Sequence, residues 1–246
     1  MLGLGASKGW GHVASALSSH SYLRHLLPQL KTNYDMIIGK PFGAQAYYSI
    51  WHEMGLMTDA QIEQSKCYID QNDLPFVYYS DPTLGNALGV AIGRAIGSNR
   101  DKPVWCNISD GALSMGPTLE AIISMSNLRQ HMKNNLLLTI DFNYHTTLDE
   151  NIVSKEAMIQ LFRSHHWHVT EINVEASSQR YISSQIENVL SQNRMVNDWA
   201  NVQVIIFVTE KGDGVDEIQN DLVTYHAKPV SITELNYMNI KEYEDA

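Results

Sequence analysis

The sequence predicts an α/β fold, a mostly parallel sheet with helices on both faces, and three observations predict it. Residues 103–109 (PVWCNIS) and 134–141 (NNLLLTID) are continuous apolar runs, the pattern of strands covered on both sides rather than on one. Between them Leu119, Ile122, Ile123 and Met125 are spread over helical turns, which makes a strand, helix, strand unit with a right-handed crossover. The chain also has 246 residues with 44% apolar content, enough to bury the core of one large domain covering residues 1–246.

The remaining elements follow in chain order. A helix is expected over 12–27, with Leu17, Leu23, Leu26 and Leu27 on its apolar side, and another over 43–55. A third is expected over 58–66, where Thr58 can cap and Asp59 and Glu63 suit the positive end of the helix dipole. Residues 68–82 read as loop. The helix expected over 84–97 carries Leu84, Ala87, Leu88, Ala91 and Ala95 on one face and Gly85, Gly89, Gly93 and Gly97 on another. Interior helix glycines cost about 0.5 to 1 kcal/mol each against alanine, so the stripe implies close approach of another backbone, inside the domain or across a subunit interface. Helices near 155–164 and 177–192 and strands near 167–173 and 202–209 complete the fold, followed by a polar tail.

Composition excludes several function classes. A net charge of −10 without a basic run argues against nucleic acid or an anionic membrane surface as partner. No apolar stretch is long enough to span a bilayer and no signal-peptide pattern opens the chain, so the expected compartment is the cytoplasm. Cys67 and Cys106 are too few for a disulfide framework and read as packing thiols.

The chemistry sits at the ends of the two apolar runs. Ser109-Asp110-Gly111 closes one and Asp141-Phe142-Asn143 the other, and parallel strands put both turns at the carboxyl edge, where open sheets bind ligands. Asp110 offers a carboxylate oxygen, Asn143 a carboxamide oxygen and His145 a backbone carbonyl. An octahedral Mg²⁺ held by those three keeps positions for two diphosphate oxygens and a water. Taken singly, an Asp-Gly is an ordinary turn and an Asn an ordinary cap.

The order of segments resembles the diphosphate-binding half of transketolase-like thiamine diphosphate enzymes. Gly11-His12-Val13 is similar to that family's early Gly-His turn, and Thr83-Leu84-Gly85-Asn86 to its Ser/Pro-Leu-Gly-Gln helix start. Ser109-Asp110-Gly111-Ala112-Leu113, with Glu120-Ala121, resembles its Gly-Asp-Gly signature, and Asp141-Phe142-Asn143 the end of its metal motif. Leu161-Phe162 with Trp167 and Val169, Thr209 to Val215 (TEKGDGV), and Tyr225-His226-Ala227-Lys228-Pro229 with Glu234-Leu235 match later segments, from about residue 8 to 236.

The resemblance implies that Asp110, Asn143 and the His145 carbonyl hold Mg²⁺ and that Gly111 and Ala112 bring backbone to the diphosphate. It further implies that Leu84 touches the cofactor's rings, that Thr83 beside it is cofactor-binding, and that His12 and His226 face the diphosphate or a sugar substrate as the catalytic histidines. The activity implied is transfer of a two-carbon ketol unit from a ketose to an aldehyde. In this family a second domain binds the pyrimidine ring, so the resemblance also implies a separately encoded partner subunit and an α2β2 assembly. Alternatives are a subunit of a deoxyxylulose-phosphate synthase-like or 2-oxo-acid dehydrogenase-like enzyme, or a non-catalytic remnant of the fold.

The chain departs from the pattern in places. Lys40-Pro41-Phe42-Gly43 stands where the family has a second Gly-His turn, Pro82 stands for a glycine and Met115 for a glutamate, and residues 66–79 lack a Gly-His-Pro element. These changes point to an unusual donor or acceptor. Ser164-His165-His166-Trp167-His168 has no further Cys/His cluster to complete a zinc site and reads as packing. Lys211-Gly212-Asp213-Gly214 reads as a simple turn, and Glu242, Glu244 and Asp245 as a solvated tail.

Overall fold

The structure, a computed structural model, describes residues 1–98, 102–131, 136–145, 153–195 and 202–241. Among them six strands form one sheet: β1 (Asp35–Ile38), β2 (Val77–Ser80), β3 (Val104–Ser109), β4 (Leu136–Phe142), β5 (Trp167–Asn173) and β6 (Val202–Val208). Their order is β2-β1-β3-β4-β6-β5, and every neighbouring pair is parallel. The expected α/β class is the observed one. Strands β3 and β4 are buried at nearly every position because helices cover both faces.

Alternate strand residues feed the two layers. Met36, Trp105, Leu137, Ile205 and Phe207 pack with α2 (Val13–Leu30), α3 (Ala44–Glu53) and α8 (Gln179–Met195). Ile37, Cys106, Leu138, Ile140 and Ile206 pack on the other side with α5 (Ala87–Gly97), α6 (Gly116–Leu128) and α7 (Lys155–Ser164). A short 3-10 helix, Asp110–Ser114, joins β3 to α6. Cys106 is buried and packs as expected.

One polar seam crosses the first layer. Thr139 donates to Asn107 Oδ1 at 2.7 Å and accepts from Trp105 Nε1 at 2.9 Å, and Tyr22 donates to the same Asn107 oxygen at 3.1 Å. The Asn107 carboxamide donates in turn to the Tyr47 hydroxyl. Each buried polar atom of this group therefore has a partner, which is the condition for burying it without penalty.

Several expectations need correction. Residues 68–82 hold β2, whose outer residues are half-exposed as befits a sheet edge. β1 (DMII) is too short to register as a periodic signal, and α1 (Leu2–Lys8) contains two glycines that mask its helical pattern. The expected tail folds into α9 (Asp216–Gln219), α10 (Thr224–Ala227) and α11 (Ile232–Leu235), where Ser231 and Glu234 form a reciprocal cap. α4 (Asp59–Gln64) has the anticipated Thr58 cap as part of a capping box with Gln61. The acidic residues at 242, 244 and 245 lie outside the described residues. Among the described residues no helix is long and apolar enough to cross a membrane.

The glycine stripe resolves into two parts. Gly85 lies before α5 in a left-handed turn (φ 108°), where a Cβ would come 2.9 Å from Met115 Cβ, so glycine is required there. A Cβ on Gly89, Gly93 or Gly97 would meet nothing within 4 Å, which removes close packing inside the chain as the reason for those three.

Candidate active site

The carboxyl ends of β1, β3, β4 and β6 converge on the start of α2. β1 is followed in sequence by β2 on its outer side, whereas β3 leads to β4 on the inner side, so the connections leaving β1 and β3 diverge and open a crevice. Lys40 follows β1, Asp110 follows β3, Asn143 follows β4, and Thr209 and Lys211 follow β6.

The two acidic turns meet there. Asp110 is 1% exposed; its Oδ1 accepts from the Gly111 N–H at 2.8 Å and its Oδ2 from the Asn143 N–H at 3.1 Å. Asn143 Oδ1 accepts from the His145 N–H at 3.1 Å, an Asx turn that carries Tyr144 through the left-handed region at φ 63°. One face of Asp110, Asn143 and the backbone at His145 are therefore tied into a single unit.

Beside that unit lies a buried ion pair. Asp141 is fully buried and pairs with Lys40, 6% exposed. Asp141 Oδ2 also accepts from Ser18 and Ser19, each at 3.0 Å, and its Oδ1 from Thr209. Hydrogen bonds to the charged form offset the desolvation that would otherwise penalise the carboxylate.

The histidines form a second group. His12 is the N-cap of α2 with φ 57°; its ring centroid lies 4.6 Å from that of Phe42 and 5.4 Å from that of His226. His226 Nδ1 is 3.1 Å from Lys211 Nζ, and Lys211 is 4% exposed. A lysine ammonium only donates, so His226 accepts at Nδ1 and its own proton sits on Nε2. Burial first, then the positive Lys211, the neighbouring His12 and the positive Lys40, bring the His226 pKa down to about 4. Burial, with Lys211 and Lys40, lowers that of His12 as well. Both rings are neutral at pH 7. The two segments touch because Gly11 has no side chain: a Cβ there would lie 2.0 Å from the Ala227 carbonyl oxygen.

Comparison with known proteins gives the fold its relatives. No family model matches the chain. Transketolase from Pongo abelii and transketolase from Homo sapiens are each 25% identical to it over 244 aligned residues, covering 90% of this chain. The chain spans 37% of the length of these curated relatives. Transketolase from Leishmania mexicana superposes with a TM-score of 0.68 at 17% identity, over 88% of this chain and 36% of that one. A transketolase mutant from Pichia stipitis gives 0.67 at 17% identity, over 87% and 35%. The chain is transketolase-like.

The transketolase-like frame accounts for some residues more directly than others. The donor set fits a hard divalent cation: a carboxylate, a carboxamide oxygen and a peptide carbonyl are all oxygen ligands. Among the described residues no three His, Cys, Asp or Glu side chains are grouped to hold a metal, so a metal here requires such mixed donors. Gly111 and Ala112 are buried in the 3-10 turn beside Asp110. Thr83 and Leu84 lie in the turn before α5: Thr83 N–H donates to Asp81 at 2.7 Å, and Leu84 is 40% exposed. Their turn is fastened to the start of α6, where Thr118 donates to the Gly85 carbonyl at 3.1 Å.

Two positions gain partners that the sequence reading did not name. Lys211 opens the turn expected at 211–214 and is in addition buried against His226, and the Gly212 N–H holds the Ala14 carbonyl at 3.0 Å. Phe42, which stands where the family has a second Gly-His turn, lies tilted against His12 and approaches Tyr68 at 6.4 Å, giving that histidine an aromatic wall. The histidine run at 165–168 is structural: His165 bonds Ser126 at 2.7 Å and His168 bonds Gln203 at 3.0 Å.

Sequence reasoning gave no role to Lys40, Asp141, Ser18 and Ser19. A usable signal existed, because Ser18-Ser19 interrupts the apolar face of a helix and Asp141 ends an otherwise apolar strand.

Proposed function

We propose that this chain is the thiamine diphosphate- and Mg²⁺-binding subunit of a split transketolase-like enzyme that transfers a two-carbon ketol unit from a ketose to an aldehyde. It acts with a separately encoded subunit carrying the pyrimidine-binding half, in an α2β2 assembly. The observation that carries this reading is the hydrogen-bonded meeting of the Asp110 and Asn143 turns at the crevice of a transketolase-like sheet.

On this reading Asp110, Asn143 and the His145 carbonyl hold the Mg²⁺, while the Gly111 and Ala112 backbone lies against the diphosphate, Leu84 touches the rings and Thr83 binds the cofactor beside it. When bound, thiamine diphosphate supplies a carbanion and an electron sink, which make cleavage of a carbon–carbon bond next to a carbonyl feasible. The chain's own contribution is at its histidines. Neutral His226 presents its Nε2–H as a hydrogen-bond donor while Lys211 fixes the ring through Nδ1. Neutral His12 is free to accept a proton, and a low pKa makes each ring a ready donor once protonated. Phe42 excludes water from one side of His12.

The test is a titration of thiamine diphosphate and Mg²⁺ into the chain, alone and mixed with a candidate pyrimidine-binding subunit, followed by a ketol-transfer assay. Metal-dependent cofactor binding with turnover in the mixture supports the proposal. Absence of cofactor binding even with the partner present overturns it.

A further inference from the structure

An asparagine carboxamide can serve a metal through only one of its two ends, and the chain itself determines which end of Asn143 faces the crevice. Ser18 Oγ accepts from Asn143 Nδ2 at 3.2 Å, which turns Oδ1 to the opposite side, where it takes the His145 N–H. A flipped carboxamide would point N–H bonds at the His145 N–H and away from the Ser18 lone pair, so only one orientation is satisfied.

Ser18 can accept because its single hydroxyl proton is drawn elsewhere, to Asp141 Oδ2 or the Ser15 carbonyl, each at 3.0 Å. Lys40 pairs with that same Asp141 oxygen and reaches Ser18 Oγ at 3.4 Å. The pair also cancels its own charge, so Asp110 is left as the carboxylate of the metal-binding unit. Ser18 is buried.

From these contacts we infer that Lys40, Asp141 and Ser18 are positioning residues for Asn143, holding its carboxamide oxygen toward the crevice before any metal arrives. This rests on the metal reading of the site and adds to it the device that sets the ligand's orientation. Ser19 provides the internal control. It donates to the same Asp141 oxygen at 3.0 Å but is not the residue that holds Asn143.

The test compares Ser18→Ala with Ser19→Ala in the full chain. Mn²⁺ binding in the presence of thiamine diphosphate is read by electron paramagnetic resonance, and the Asn143 side-chain amide by NMR without metal. Each variant loses one hydroxyl bond to Asp141, and Ser18→Ala also loses its contacts to Ser15 and Lys40, so the Asn143 amide is the readout that separates a positioning role from a purely structural one. The expected result is Mn²⁺ affinity at least about tenfold weaker in Ser18→Ala and within about twofold of wild type in Ser19→Ala, with amide protection lost only in Ser18→Ala. Equal affinity in wild type and Ser18→Ala overturns the inference alone. If the wild type shows a protected Asn143 amide but binds no Mn²⁺, the cofactor reading falls, and this role falls with it. If Ser18→Ala does not fold, Ser18→Thr keeps the hydroxyl and must keep the affinity. A rapidly exchanging Asn143 amide in the wild type is then the overturning result.

Discussion

Replacing Gly11 with alanine should separate His226 from Lys211 without unfolding the chain. The added Cβ would sit 2.0 Å from the Ala227 carbonyl oxygen, and real Cβ contacts do not fall below 3.0 Å, so the two segments must part by about 1 Å (3.0 minus 2.0). The segment that moves is 226–229, because Ala227, Lys228 and Pro229 are exposed while the start of α2 is anchored in a core of Val13, Ala14 and Leu17. A shift of that size takes the Lys211 contact from 3.1 Å to about 4 Å, beyond hydrogen-bond reach. The cost of such overpacking is about 1–3 kcal/mol. The assay is an NMR pH titration of the His226 ring protons. In wild type the ring should titrate near 4, and in the variant its pKa should rise toward the ordinary 6.5. The sign carries to stability. With the folded pKa below the unfolded value, the unfolded chain binds the extra proton between about 6.5 and 4, so stability falls as pH drops through that window and levels off below it. Gly11→Ala should narrow the window from its lower edge. A folded variant whose His226 still titrates near 4 would refute the argument.

Asp110→Ala should abolish metal-dependent thiamine diphosphate binding in an equilibrium titration while leaving the circular dichroism spectrum unchanged; retained affinity counts against the metal assignment. Lys40→Met leaves Asp141 charged and fully buried with only hydroxyl partners, which should lower unfolding free energy by about 3–5 kcal/mol in a denaturant titration. The double variant Lys40→Met/Asp141→Asn should recover part of that loss, because it removes the unpaired charge. Gly89→Ala and Gly93→Ala should each stabilise the isolated chain by about 0.5–1 kcal/mol in thermal melts, since a Cβ at either position meets nothing within 4 Å. If that bare helix face is the partner's seat, the same substitutions should weaken assembly with the pyrimidine-binding subunit.

The legible parts of the chain were those with strong local signals. The runs around Trp105 and Leu138 announced themselves as strands because both faces are apolar, and their terminal turns then followed from parallel geometry. Thr58 and Asp59 marked a helix start by chemistry that acts within four residues. What sequence could not supply was the meeting of distant segments. Ser18 and Asp141 lie 123 positions apart, and their bond follows only from knowing that α2 lies across the end of β4. The short β1 and β2 were invisible for a different reason: four residues are too few to show a period, and their strand state is imposed by pairing with β3 and with each other. The glycine stripe admitted two readings, and the open space beside three of its four positions removes only close packing inside the chain.

The seam of Asn107, Thr139 and Trp105 bears on how the sheet avoids misthreading. Leu136, Leu137 and Leu138 would slide past Val104 and Ile108 with little change in apolar contact, so oiliness alone discriminates poorly between alignments. A one-step slip, however, turns Thr139 and Asp141 to the opposite layer, away from Asn107, Ser18 and Lys40, and breaks the Thr139–Asn107 bond, the Ser18–Asp141 bond and the Lys40–Asp141 pair in a dry interior. The polar line thus acts as a checksum on strand alignment, and the geometry of the crevice is inherited from a decision made much deeper in the molecule.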